Sequence, residues 1–363
     1  MSVFELSLVL TGLGLNLVLF NRFPALPVAG KKAEESVSVI IPARNEAANL
    51  PLILGDLAQQ TVNPLEVIVV DDASSDSTAE TAGHFDVTVL TLNNKPEGWI
   101  GKSWACWNGV NAASGELLLF IDADVRLEPE ALARLLTAYN GRTISVQPWH
   151  ETSKYYEQFS MLFNLVQAAA TGTTMPKAAG NGLYGPLILM PRSVYEQIGG
   201  HAAVRGSIIE DMALARQLKN HNLPFELYVG DHTIRYRMYA GGIKSLLEGW
   251  VKNAAWGATT IPLWHFVLVF LWITSLTSVP YHLLVYSLAR SLPGLAVYGA
   301  LYVVWTVILR FLSNRFGRFK AGATLFYPVG LALMLLIYLV SLTKRLLRLP
   351  VNWRGRVIGE ERL

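Results

Sequence analysis

The stretch Glu116-Leu117-Leu118-Leu119-Phe120-Ile121-Asp122-Ala123-Asp124 decides the fold. The segment up to Ile121 is an apolar run of the kind that forms a buried parallel strand, and two carboxylates follow where that strand would end. In open α/β sheets ligands bind just outside the carboxyl ends of the strands, where a hard divalent cation can bridge carboxylates to a diphosphate. The stretch therefore predicts an α/β domain with a cation site, although Asp-x-Asp pairs also occur in solvated loops.

The composition indicates a membrane-associated protein. The chain has 363 residues, of which 52% are hydrophobic, and a mean hydropathy of +0.34, which is too apolar for a purely soluble protein. The apolar excess lies mainly outside residues 37–241. A net charge of +3 is too small to suggest a nucleic-acid partner, and we expect none. The single cysteine, Cys106, excludes an internal disulfide and is compatible with a cytoplasmic domain.

Four segments are apolar enough to cross a bilayer, which takes about 20 residues. They are residues 3–20, 262–288, 295–312 and 324–342. The first could be a cleaved signal peptide, but it carries Glu5, has no basic residue before its apolar core and is longer than a usual signal core. We therefore expect an uncleaved anchor. The basic residues that follow it predict that the α/β domain lies in the cytoplasm, in a multi-pass protein of the cell membrane. They are Arg22, Lys31 and Lys32.

The basic residues around the last apolar segment conflict with a single crossing there. One cluster precedes this segment and another follows it, and a single crossing cannot leave both inside. The clusters are Arg310, Arg315, Arg318 and Lys320, then Lys344, Arg345, Arg348, Arg354 and Arg356. Either one segment is re-entrant or interfacial, with the segment that contains Pro280 the first suspect, or the tail breaks the rule. Both clusters could meet anionic headgroups.

The pattern predicts five regions. They are a membrane anchor (1–24), an α/β domain (36–241), an interfacial helix (242–261), membrane helices (262–343) and a basic tail (344–363).

Two further strands in the predicted domain end in polar loops. Residues 36–46 indicate a strand that ends at Pro42 and leads into a helix, and residues 65–70 indicate a second strand. Asp71 and Asp72 open the polar turn after it. Asp72 is either a helix N-cap or a hydrogen-bond acceptor for a nucleobase or ribose.

Three motifs together resemble glycosyltransferase family 2 with the GT-A fold. They are Ile40-Ile41-Pro42-Ala43-Arg44-Asn45-Glu46, residues 69–78 (Val-Val-Asp-Asp-Ala-Ser-Ser-Asp-Ser-Thr) and Ile121-Asp122-Ala123-Asp124. The resemblance implies a Rossmann-like nucleotide-sugar domain with transmembrane helices at both ends of the chain. It implies a Mg²⁺ or Mn²⁺ ion at Asp124 and Asp122, with Asp122 facing the ribose or the metal. The implied donor-binding residues are Pro42, Ala43, Arg44, Glu46, Asp71, Asp72 and Asp122.

Lys102 and His150 are further candidates. Lys102 lies where a loop opens into a helix, and a cation beside backbone N–H groups suits phosphate, although a solvated surface lysine is the alternative. His150 follows a predicted strand and could be a general base, but a lone histidine is more often structural.

A second acidic pair, Glu210-Asp211, begins an amphipathic helix. By resemblance to the family, Asp211 is the base that deprotonates the acceptor, with Glu210 as the second candidate. The alternative is that both carboxylates only favour a helix N-terminus. Attack opposite the departing diphosphate inverts the anomeric carbon.

The residues that lead to the membrane include three tentative contacts for the acceptor or diphosphate. They are Arg237, Trp250 and Lys252, which could equally be membrane-surface anchors. The Gln-x-x-Arg-Trp motif typical of processive family members is missing from this sequence, so we expect a single transfer.

The chain as a whole resembles the membrane enzymes that glucosylate carotenoid acids, which implies UDP-glucose as the donor and a lipid acceptor. A carboxylic acid is already ionised at neutral pH and needs no base, whereas a hydroxyl on a hopanoid or glycerolipid does. A hydroxyl-lipid glycosyltransferase therefore stays open as an alternative. So do a non-catalytic nucleotide-sugar-binding membrane protein, a nucleotidyltransferase and a processive synthase.

Overall fold

The computed structural model describes residues 3–30, 35–176, 180–258, 261–347, 349–353 and 356–358. Lys31, Lys32, Arg348 and Arg354, which belong to the basic clusters, lie outside these residues. The strands are β1 (Val37–Ala43), β2 (Glu66–Asp71), β3 (Thr88–Thr91), β4 (Leu117–Ile121), β5 (Val125–Leu127), β6 (Thr143–Gln147), β7 (Trp149–His150), β8 (Leu187–Pro191), β9 (Phe225–Val229), β10 (Ile234–Tyr236), β11 (Val351–Trp353) and β12 (Arg356–Ile358).

Among the described residues, one apolar helix precedes these strands, seven helices lie among the strands of the α/β region, and the remaining five lie between β10 and β11. The helices are α1 (Val3–Leu19), α2 (Leu50–Ala58), α3 (Thr78–Ala82), α4 (Gly101–Ala112), α5 (Ala131–Ala138), α6 (Ser160–Thr171), α7 (Arg192–Gln197), α8 (Glu210–Asn220), α9 (Ile243–Ala258), α10 (Leu263–Leu288), α11 (Leu292–Phe316), α12 (Ala321–Leu325) and α13 (Tyr327–Leu346). Short 3-10 turns lie at Tyr155–Phe159 and Gly200–Ala202.

The central sheet is mixed and has the order β3-β2-β1-β4-β8-β6-β9. Strands β3, β2, β1 and β4 are parallel, whereas β8 runs antiparallel between β4 and β6. Side chains alternate between two covered faces, because Val39 belongs to an apolar cluster with residues of α2 and α5, whereas Ile40 belongs to another with residues of α4 and α8. The predicted α/β fold is confirmed, and β1, β2 and β4 end at one edge of the sheet.

A second sheet brings distant residues to this edge. Its order is β5-β10-β7, and β5 begins directly after the Asp-x-Asp pair. The residue after β10, Arg237, donates its backbone N–H to the carbonyl of Asp124 over 3.4 Å. This pairing places the exit of β10, and the chain that leads to α9, beside the predicted cation site.

Three helices in the described part of the chain are long and apolar enough to cross a membrane. They are α10, α11 and α13, with mean hydropathies of 1.6 to 1.9, and α10 is one continuous helix through Pro280. The predicted first segment is the shorter apolar helix α1, with 17 residues. It packs closely on α10, because a Cβ at Gly12 would lie 2.1 Å from Cβ of Ser275.

Candidate active site

The loops after β1 and β2 hold each other at the sheet edge. The guanidinium of Arg44 donates to the carbonyls of Asp72 and Ala73 at 2.6 and 2.8 Å, and the backbone N–H of Glu46 donates to Thr78 at 2.8 Å. Glu46 and Asp72 are buried, and both line a large cavity at this edge. Pro42 and Ala43 line the same cavity. The structure thus brings these predicted donor-binding residues together.

Asp71 is the exception among the predicted donor-binding residues. Its carboxylate accepts hydrogen bonds from the backbone N–H and the hydroxyl of Ser74, and the residue is not part of the cavity lining. These bonds shape the loop that presents Asp72. Asp71 therefore shapes the loop that carries Asp72, and its own side chain does not line the cavity.

Asp122 and Asp124 line the cavity directly after β4. The Lys102 ammonium lies 2.8 Å from Asp122 and 2.9 Å from Glu210, and it also donates to the carbonyl of Gly185 at 3.2 Å. Lys102 therefore joins the Asp-x-Asp pair to the acidic pair of α8, a contact that the sequence did not predict. Burial opposes the charged form of Lys102, but the charges of Asp122 and Glu210 together outweigh it and raise the pKa of Lys102 well above its ordinary value.

The donor set at the sheet edge fits a hard cation. Among the described residues, no group of three or more His, Cys, Asp or Glu side chains is arranged to hold a metal ion. Asp122 and Asp124 supply two carboxylates, and Mg²⁺ characteristically takes one or two protein carboxylates and completes its shell with water and substrate phosphates. The arrangement therefore suits a metal that is bound together with a diphosphate.

Glu210 and Asp211 are adjacent but electrostatically different. Burial opposes the ionisation of Glu210, but the Lys102 charge dominates and lowers its pKa to about 2. Burial and the neighbouring Glu210 charge raise the pKa of Asp211 to about 6. The Asp211 carboxylate accepts from the backbone N–H groups of Gly185 and Met212 at 2.9 and 2.7 Å, which fixes its position. A carboxylate with a pKa near neutral pH is the better proton acceptor of the two.

The cavity continues from these carboxylates to the apolar helices. It encloses about 2210 Å³, and its far wall comes from α10 and α13. The apolar residues of that wall include Phe266, Val269, Phe270, Leu335, Leu339 and Leu342. The sequence does not identify these residues, because the apolar pattern of such a helix is the same whether a given side chain faces lipid, protein or a cavity.

The three tentative residues also line this cavity. Arg237 forms an ion pair with buried Glu157 at 2.8 Å, and Trp250 stacks on Phe163 with ring centroids 4.1 Å apart. Burial lowers the pKa of Lys252 against the opposing charge of Glu210. These residues lie where the polar and apolar parts of the cavity meet.

His150 lies away from the cavity lining. It is fully buried, accepts a hydrogen bond from the Asn164 amide at 2.8 Å, and packs against Tyr236 and Phe319. Burial lowers its pKa to about 4. The placement favours the structural interpretation of this histidine.

Known proteins are similar to this chain over most of its length. Residues 38–199 match the model of Glycosyl transferase family 2. The 4,4'-diaponeurosporenoate glycosyltransferase of Staphylococcus haemolyticus (strain JCSC1435) is 33% identical over 95% of this chain and 96% of its own length. The enzyme of the same name from Staphylococcus aureus (strain USA300) is 32% identical over 89% of this chain and 88% of its own.

A solved structure shares the fold. It is the mannosyltransferase PcManGT from Pyrobaculum calidifontis in complex with GDP-Man and Mn²⁺. The TM-score is 0.55 at 17% sequence identity, and the match covers 93% of this chain and 99% of that one.

Proposed function

Because this chain belongs to glycosyltransferase family 2, we propose that it is a membrane-bound, inverting enzyme that transfers one glucose from UDP-glucose to a carotenoid acid such as 4,4'-diaponeurosporenoate. The names of its relatives support the acceptor class. The observation that carries the proposal is one continuous cavity, with carboxylates at one end and apolar helix walls at the other. A sugar donor suits the first end, and a long apolar acceptor suits the second.

The donor binds at the sheet edge. Pro42, Ala43, Arg44, Glu46 and Asp72 surround the nucleoside, and Arg44 holds the Asp72 loop in place. Lys102 lies beside Asp122, where its ammonium balances acidic charge and can reach a phosphate of the donor.

Asp124 and Asp122 would hold a Mg²⁺ or Mn²⁺ ion when the donor is bound. When bound, the metal stabilises the negative charge that develops on the departing diphosphate. The Mn²⁺ in the complex of PcManGT supports this choice of cofactor class.

Asp211 serves the acceptor. Its carboxylate is fixed by two backbone N–H groups and lies on the cavity wall. The acceptor oxygen attacks the anomeric carbon on the face opposite the leaving diphosphate, the bond from that carbon to the diphosphate oxygen breaks, and the configuration inverts. Asp211 takes the acceptor proton where there is one, and Glu210 keeps Lys102 in place.

The acceptor chain lies between α10 and α13. Phe266, Val269 and Phe270 of α10 and Leu335 and Leu339 of α13 line this part of the cavity. A polyene chain that binds there removes apolar surface from water, and each Å² of that surface contributes about 25 cal/mol of favourable free energy. Arg237, Trp250 and Lys252 hold the polar end of the acceptor, or the diphosphate, at the boundary of the two environments.

A hydroxyl lipid is the second candidate acceptor, and Asp211 favours it. A carboxylic acid is ionised at neutral pH, so a base with a pKa of about 6 adds nothing to its reactivity. A hopanoid or glycerolipid hydroxyl would use that base. With the acid acceptor, Asp211 positions the carboxyl group instead.

The chain is a multi-pass protein of the cell membrane with its catalytic domain in the cytoplasm. We divide it as the sequence suggests, into an anchor (1–24), a catalytic domain (36–241), an interfacial helix (242–261), membrane helices (262–343) and a basic tail (344–363). Helix α9 corresponds to the interfacial region.

A transfer assay tests the proposal. Membranes that contain the protein are incubated with UDP-glucose, Mn²⁺ and either carotenoid acids or hydroxylated lipids, and the lipid products are read by mass spectrometry. With the acid acceptor the hexose is held by an ester, and mild alkali releases it, whereas with a hydroxyl acceptor the hexose is held by a glycosidic bond and stays on the lipid alcohol. One hexose per acceptor, released by mild alkali, is the expected result. Transfer to a hydroxylated lipid instead would show that this lipid, and not a carotenoid acid, is the acceptor. If neither pool receives hexose, the proposal is contradicted.

A further inference from the structure

The last apolar segment begins and ends at the catalytic domain. Helix α11 ends beside the catalytic domain, because the backbone N–H of Arg318, two residues after the helix, donates to the carbonyl of His150 at 2.8 Å. The backbone N–H of Lys320, just before α12, donates to the side chain of Gln158 at 2.8 Å. At the other end of the segment, the hydroxyl of Ser341 donates to the carbonyl of Val251 in α9 at 2.6 Å.

The chain beyond α13 stays on this side. Strand β11 packs against α9, which follows directly from β10 of the catalytic domain. Helix α9 carries Lys244, Glu248 and Lys252 among its apolar residues, so it suits an interface better than a bilayer core. Helix α13 packs along α9, and Tyr338 in it stacks near Phe163 of α6 with ring centroids 6.1 Å apart.

The turn between α12 and α13 packs against the middle of α11. The ring of Tyr327 stacks on Tyr302 of α11 at 5.1 Å, and the Tyr302 hydroxyl donates to the carbonyl of Leu325. Tyr302 lies 14 residues before the end of α11 at Phe316, which is roughly 20 Å along a helix with a rise of 1.5 Å per residue.

We propose that α12 and α13 form a re-entrant hairpin that enters and leaves the bilayer on the side of the catalytic domain, with anionic headgroups against its two basic ends. Helices α1, α10 and α11 then make the crossings. The opposite ends of these helices meet on the far side, where Glu5 lies 3.6 Å from His282 and His282 stacks on Tyr298 at 4.8 Å.

The charge distribution agrees with this topology. In the described part of the chain, the basic residues near the ends of α1, α11 and α13 on the side of the catalytic domain include Arg22, Arg310, Arg315, Arg318, Lys320, Lys344 and Arg345. The far loop between α10 and α11 holds Arg290. A crossing by α13 would separate the two basic clusters, whereas a hairpin keeps both on the side that the positive-inside rule calls cytoplasmic. The segment containing Pro280 is then an ordinary crossing.

Cysteine labelling tests the hairpin without any use of enzymatic activity. The natural Cys106 is buried, and burial raises the pKa of its thiol, so it should react slowly. Arg318→Cys marks the catalytic side, Arg290→Cys marks the far side, and Arg345→Cys reports the end of α13. Each variant is treated with a membrane-impermeant maleimide in intact cells and in inverted vesicles.

Arg345→Cys should label from the same side as Arg318→Cys and opposite to Arg290→Cys. Labelling of Arg345→Cys from the side of Arg290→Cys would overturn the proposal. If the Arg345→Cys variant is poorly expressed or shielded from both sides, a fluorescent or phosphatase reporter fused after residue 363 makes the same distinction. A reporter signal from the side of Arg290 contradicts the hairpin, and one from the side of Arg318 supports it.

Discussion

Removing the ammonium of Lys102 should destabilise the catalytic domain through Glu210. The Glu210 side chain is 9% exposed and is 2.9 Å from Lys102, so Lys102→Met leaves a buried carboxylate without its nearest cation. The Glu210 pKa of about 2, compared with its ordinary 4.5, corresponds to about 3 kcal/mol at 1.36 kcal/mol per pKa unit. Breaking a buried ion pair by removing one partner costs about 3 to 5 kcal/mol, and the nearby Lys252 keeps our expectation at the lower end.

The assay is thermal unfolding of the purified protein in detergent, with EDTA and without nucleotide. For a domain of about 200 residues, 3 kcal/mol corresponds to a fall in Tm of roughly 6 to 12 °C. Lys244→Met is the matched control, because Lys244 is 89% exposed and 4.0 Å from Glu248, and a surface pair of this kind contributes about 1 kcal/mol or less.

Two further measurements isolate the cause. The double variant Lys102→Met/Glu210→Gln should recover most of the lost Tm, because it removes the uncompensated charge. A carboxyl whose pKa is lowered in the folded state contributes stability above its unfolded pKa and loses it as the pH falls. The difference between the wild type and Lys102→Met should therefore shrink as the pH falls from 4.5 towards 2. An unchanged Tm in Lys102→Met, or no recovery in the double variant, would refute the reasoning.

The other predictions concern the metal, the base and the anchor. Asp124→Ala should abolish metal-dependent transfer without loss of membrane insertion, and normal turnover in an assay with Mn²⁺ would remove the metal assignment. With a hydroxyl acceptor, kcat/KM should rise with pH through about 6 as Asp211 loses its proton. With an acid acceptor, kcat/KM should show no such rise. Gly12→Val should lower the yield of folded protein, because the new side chain would clash with Ser275. Gly14→Val should be tolerated, because no atom lies within 4 Å of a new Cβ there. Equal yields of the two variants would contradict the close packing of α1 on α10.

Local sequence patterns were sufficient to predict the sheet edge. The apolar run before Asp122 forms β4, and the polar turns after β1 and β2 lie beside it, because carboxyl ends of parallel strands meet at one edge. The start of α8 at Glu210 was also predicted from the acidic pair before an amphipathic pattern.

Contacts between distant segments could not be predicted in this way. Lys102 reaches Asp122 and Glu210, and Arg237 pairs with Glu157, because the fold brings separate segments together. Hydropathy identified the last apolar segment by its composition, but composition does not report the direction in which a helix runs. The contact of Ser341 with α9 supplies that direction.

The most direct single measurement is the mass spectrum of the lipid fraction after purified protein in nanodiscs has been incubated with ¹³C-labelled UDP-glucose, Mn²⁺ and 4,4'-diaponeurosporenoate. We expect one labelled hexose per polyene acid, formed by the wild type and not by Asp124→Ala. The absence of labelled polyene with active-site residues intact and the protein folded would contradict glucosyl transfer to a carotenoid acid in the cavity between α10 and α13.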